Sequence, residues 1–151
     1  MRILIILLFV SFNSFGQTYE DVMSIKDIDS FKKVCIENNY EYMSDVSNTK
    51  TILYESIDGN KGATYDIYSD SMFAFIFQKE IGGDSGIEIP YDIEYDKIYN
   101  RVKESCQFSR IADTNGVNKA CYKCNDSKFN GEVCFVVMGG MGAIHFTKHT
   151  N

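Results

Sequence analysis

The chain has no tryptophan, a single proline and only two histidines. After its first residues it has no apolar run approaching the roughly 20 residues that cross a bilayer, so no membrane span is expected. Cations are scarce as well: 15 Lys and Arg against 21 Asp and Glu give a formal net charge of −6. Nucleic acid and anionic membranes reward clustered Lys and Arg, so neither is an expected partner. What is abundant is aromatic, 10 Tyr and 11 Phe, a composition that suits a strand-rich globular domain better than a disordered chain.

Residues 1-16 read as a secretory signal peptide, with Arg2 as the positive start, Ile3 to Val10 as a short apolar stretch and Ser14-Phe15-Gly16 supplying small residues at the cleavage site. Cleavage is expected before Gln17. The first cysteine is Cys35, far from that point, so no lipid anchor is expected. The leader resembles that of a Gram-negative export substrate, which makes the expected location periplasmic or secreted. Residues 17-151 then suffice for a single globular domain with its own core.

Along that domain, Ser24 and Asp27 resemble a capping box. Ile28, Phe31, Val34 or Cys35, and Asn38 follow at helical spacing. Three strands are expected at Thr51 to Ile57, Ala63 to Tyr68 and Met72 to Gln78, separated by turn-forming residues. The glycine-rich Ile81 to Gly86 reads as a connector. Beyond Pro90 and Asp92, a second helix is expected with Tyr95, Ile98 or Tyr99, Val102 and Cys106 on one face. Three more strands follow at Lys119 to Cys124, Glu132 to Met138 and Ala143 to Lys148.

The two halves, about 24-80 and 90-149, therefore read as an internal repeat. A constant offset pairs Val34 with Val102, Asp45 with Asp113, Tyr54 with Tyr122 and Asp58 with Asp126. One inserted residue later, Gly62 pairs with Gly131, Met72 with Met141, Ala74 with Ala143, Phe77 with Phe146 and Lys79 with Lys148. The expected fold class is α+β: two tandem helix-strand-strand-strand repeats forming antiparallel sheet, with both helices on one face. Alternation turns Phe73, Phe75, Phe77, Ile144 and Phe146 toward the helices, together with Tyr54, Tyr65, Tyr122 and Cys124.

Cys121 and Cys124 have the spacing of a redox or zinc motif, but in a strand that spacing sends the two sulfurs to opposite faces. The cysteines are better read as staples, in keeping with an oxidising compartment. The candidates are Cys124, Cys134 and Cys106. Cys124 to Cys134 is the preferred bridge, Cys106 competes for either, and Cys121, pointing outward, is the candidate free thiol. No catalytic, cofactor-binding or metal-binding set is found: no motif places a nucleophile with His145, the glycine loops lack a phosphate-binding pattern, and the carboxylates lack calcium-loop spacing.

What remains is the outward sheet face, expected to carry Leu53, Asp66, Tyr68, Ile76, Phe135, Val137 and His145 as a partner-binding surface. The element order and repeat resemble, in architecture, the secreted beta-lactamase-inhibitor-like proteins. The resemblance implies two helix-plus-sheet repeats presenting a sheet face to a target. The expected function is an exported, non-enzymatic protein-binding module without cofactor. The alternative is a structural or envelope-accessory protein that self-associates through the same face.

Overall fold

The computed structural model describes residues 18–46, 50–57, 59–69, 71–78, 93–125, 129–138 and 141–149. The expected leader, the Ile81 to Gly86 connector, and Pro90 and Asp92 lie outside these residues. Two reciprocal capping boxes lie at the beginning of the described residues. Thr18 and Asp21 cap a short helix, α1 (Tyr19–Met23), and Asp27 and Ser30 cap α2 (Ile28–Glu37). Asp27 is thus the cap itself rather than the third residue of a box begun by Ser24. Phe31, Val34 and Cys35 form the buried stripe of α2, and Asn39 turns the chain out of it at a φ of 61°.

Four strands follow: β1 (Tyr40–Val46), β2 (Thr51–Ser56), β3 (Lys61–Asp66) and β4 (Met72–Gln78). After α3 (Ile93–Ser105) come β5 (Gln107–Thr114), β6 (Val117–Asn125), β7 (Asn130–Met138) and β8 (Met141–Lys148). All eight form one antiparallel sheet in the order β1-β2-β3-β4-β8-β7-β6-β5. The expectation of three strands before and three after the second helix is corrected to four and four, because β1 and β5 were not anticipated. No helix among the described residues is long and apolar enough to cross a membrane.

One sheet face carries an aromatic core. Phe73 stacks on Phe146 at 4.8 Å across the β4–β8 seam, and Phe31 of α2 meets Tyr54, Tyr65, Phe73 and Phe75. Tyr95 of α3 meets Phe77 and Phe135, with Ile98 and Val102 buried behind it. Lys61 on β3 pairs with Glu94 at 2.8 Å, tying the first turn of α3 to the other half of the sheet.

The ladders correct the second half of the face assignment. Tyr54 stands opposite Ala63, and Tyr122 opposite Val133. Val133, not Glu132, therefore lies on the core face beside Tyr122. The one-residue insertion that aligned Gly62 with Gly131 turned β7 over. Phe135 is buried on the core face against Tyr95, Tyr99 and Tyr122, and Val137 shares its side; neither belongs to the outer face. Cys134 instead points outward.

The bridges follow that register. Cys121 and Cys134 are directly opposite on β6 and β7 and are joined, so Cys121 is not free and Cys124 to Cys134 is not the bridge formed. Cys106, just past α3, joins Cys124 on the core face. Cys35 is left as a thiol, buried in α2, and its burial pushes its pKa up to about 12. Non-reducing peptide mapping should recover Cys106 with Cys124 and Cys121 with Cys134. Alkylation should reach Cys35 only after denaturant is added, since a thiol so buried is neither exposed nor ionised.

Candidate functional site

The sheet face opposite the aromatic core is where four of the seven expected binding residues fall. Alternation along each strand fixes its membership. One row starts at Leu53 and runs through Thr64, Ala74, His145, Cys134 and Cys121 to Arg110. A parallel row runs from Glu55 through Gly62, Ile76 and Ala143 to Val136. Asp66 belongs to the same face, at the end of β3. Tyr68 lies just beyond β3, 80% exposed, in a turn held by Asp66 accepting from the Tyr68 and Ser69 N–H groups. Of the seven residues expected here, the structure brings Leu53, Asp66, Ile76 and His145 onto this face, leaves Tyr68 at its margin, and puts Phe135 and Val137 on the other side.

The face is divided by charge. On β1 to β3 it carries Glu41 and Glu55, directly opposite one another, and Asp66; no Lys or Arg side chain shares it among the described residues of those strands. On β5 to β7 it carries Arg110, Lys119 and Lys123 against Glu132 alone. Like charges directly opposite in a ladder oppose pairing, so the Glu41 and Glu55 pair does nothing for the sheet itself.

Around the outer bridge the groups are tightly arranged. Arg110 forks onto Glu132 through two contacts, Nη2 to Oε1 at 2.7 Å and Nε to Oε2 at 3.2 Å, spanning β6 above the Cys121–Cys134 link. That fork lowers the Glu132 pKa below the usual carboxylate value. Cys121, Glu132 and Cys134 could together offer ligand atoms to a metal, but both sulfurs are committed to each other while the bridge stands.

His145, opposite Cys134 on β8, is held below the ordinary imidazole pKa, first by burial and then by the charge of Lys119. Among the described residues no hydroxyl or thiol hydrogen-bonds to it. Two concavities meet at His145. One, of about 230 Å³, runs over Thr51, Thr64, Asp66 and Met72. The other, of about 300 Å³, lies over the β6–β7–β8 side.

Arg110, Glu132 and Val136 are members of this face that the sequence reading left out, whereas Lys119 was expected to point outward and does. Their signal was available only through the register, since Val133 to Val137 is apolar on both sides and does not declare its own orientation. Comparison with family models, curated proteins and solved structures finds no match to this chain, so the architectural resemblance rests on element order and repeat alone.

Proposed function

We propose that the chain is an exported, non-enzymatic protein-binding module that docks its target on the outer face of the sheet. The observation that carries this reading is the division of that face into an acidic and a basic half. A partner with the complementary arrangement is both steered and fixed in register by such a pattern. The reading takes the two halves as tandem repeats with both helices on one face. It is supported by strand orders that run outward alike from the β4–β8 seam, and by Phe31 and Tyr95 both meeting alternate residues of β4. Two disulfides are compatible with an oxidising extracellular compartment. Periplasm or medium is the location the leader favours.

The test is retention of protein from the source's periplasmic and extracellular fractions on the immobilised mature chain, compared with Thr64→Arg and Glu55→Arg variants. A target captured by the native chain, and lost by at least about tenfold on either variant with unchanged thermal melting, is the expected result. Equal capture by all three would remove the outer face from consideration.

The same charge division favours the second reading, self-association. In a face-to-face pair related by a twofold axis along the strands, the acidic half of one copy lies over the basic half of the other. Sedimentation would then show a dimer that Glu55→Arg dissociates and the Glu55→Arg, Lys119→Glu double variant restores. A monomer at all concentrations rejects it.

A further inference from the structure

The larger outer concavity combines apolar walls with a cation that pairs with no anion among the described residues. Ile76, Ala143 and Val136 cross it in one register row, and Met141 and Val117 close its ends. The Asn115-Gly116 turn, with both residues at positive φ, doubles the chain back so that Thr114 and Val117 reach its rim. Ala143 stands between two larger aliphatic side chains, and its single methyl group is what leaves room between them. The volume, about 300 Å³, is at the lower end for small-molecule sites.

Three polar side chains reach this space, Lys119, His145 and, at the rim, the uncharged Thr114. Lys119 is half-buried and forms no ion pair among the described residues. Holding an ammonium beside apolar walls is costly unless an anion joins it. His145, its pKa depressed, is neutral at pH 7 and acts as a hydrogen-bonding group rather than a second cation. One cation and one neutral imidazole match a monoanion, and a dianionic phosphate would leave a charge unpaired. The apolar row calls for an alkyl chain.

We propose that this concavity binds a free medium-chain carboxylate, its chain of about eight carbons lying along Ile76, Ala143 and Val136 and its carboxylate on Lys119 Nζ with His145 beside it. The site lies on the same sheet face as the proposed docking surface, but a titration of the purified chain contains no protein partner, so its outcome does not depend on the capture assay above.

Calorimetry of the mature chain at pH 7.5 with octanoate, octanol and octylammonium tests it. Octanoate should bind saturably at one per chain, octanol at least about tenfold more weakly, and octylammonium not at all. Lys119→Gln should weaken octanoate about tenfold, and Ala143→Phe, which fills the floor, should abolish binding. Both variants should keep the native melting transition, and octanoate should shift the His145 ring proton resonances of the native chain. Octanol binding as tightly as octanoate, unchanged affinity in Lys119→Gln, or no saturation by about 10 mM, where affinity would fall below the weakest useful range, overturns the proposal.

Discussion

Replacing Phe146 by alanine should cost about 3 to 5 kcal/mol of folding stability, read as a fall in the urea midpoint at unchanged slope. Phe146 sits on β8 at the seam and is 1% exposed. Its ring stacks on Phe73 at 4.8 Å and meets Phe75 and Phe129 edge-on at 6.3 and 6.0 Å, so truncation strips contacts from β4 and from the residue that leads into β7 together. These neighbours are themselves wedged by Phe31 and Tyr65 and have little room to collapse into the void. A domain of this size has about 5 to 15 kcal/mol in all, so the variant should be near its limit at 37 °C. Phe108, 54% exposed on edge strand β5, is the control: its alanine variant should lose less than about 1 kcal/mol. Equal losses at both sites would show that the β4–β8 seam is not the centre of the core.

The inner strands were legible in the sequence and the edge strands were not, for a physical reason. β4 alternates Phe73, Phe75 and Phe77 with smaller residues because one of its faces lies on the core, and this period of two survives in the sequence. β1 and β5 are the sheet's two edges. Tyr42, Met43, Phe108 and Ile111 are all more than half exposed, and a register shift in each strand, between Tyr42 and Ser44 and between Phe108 and Arg110, breaks the alternation. Such irregularities blunt an edge against pairing with other chains. One signal for β5 was nonetheless present: Asn115-Gly116 between Thr114 and Val117 is a strong short hairpin signature, and both residues have the positive φ that such a turn requires. The offset pairing Asp45 with Asp113 also fell inside the two unrecognised strands.

The candidate face was legible where strands alternate and illegible where they do not. Leu53 lies between buried Ile52 and Tyr54, so its orientation could be read directly. Phe135 lies in a run of six apolar residues, Val133 to Met138, and its side is decided by the hairpin register that sets Asn125 opposite Asn130. The error moved the cysteines with it. A bridge from Cys124 to Cys134 would have joined the two faces of a hairpin, whereas the Cys121–Cys134 bridge joins directly opposed residues. The consequence is functional, because that bridge now lies beneath the Arg110–Glu132 fork on the proposed docking face.

Gly131→Ala should be a second severe change, about 3 kcal/mol or more, although it adds only a methyl group. Gly131 faces the core from β7, between Cys124 on β6 and Lys148 on β8. A Cβ there would collide with the carbonyl oxygen of Thr147 and lie 2.9 Å from two ring carbons of Phe129. The carbonyl is backbone and can retreat only by distorting the β7–β8 ladder. The Phe129 ring, 1% exposed, is held edge-on by Phe73 at 6.5 Å and Phe146 at 6.0 Å, so it cannot swing aside without opening the core. Gly116→Ala separates this close approach from ordinary loss of backbone freedom. Gly116 has a φ of +79° with nothing near its missing Cβ, so alanine there should cost only about 1 kcal/mol, the strain of the left-handed region. If denaturation gave the two variants equal losses, Phe129 could not be seated across Gly131 as described. A gap of about 2 kcal/mol or more between them is the expected result, and it would place the close β7–β8 approach among the strongest constraints on the second half of the chain.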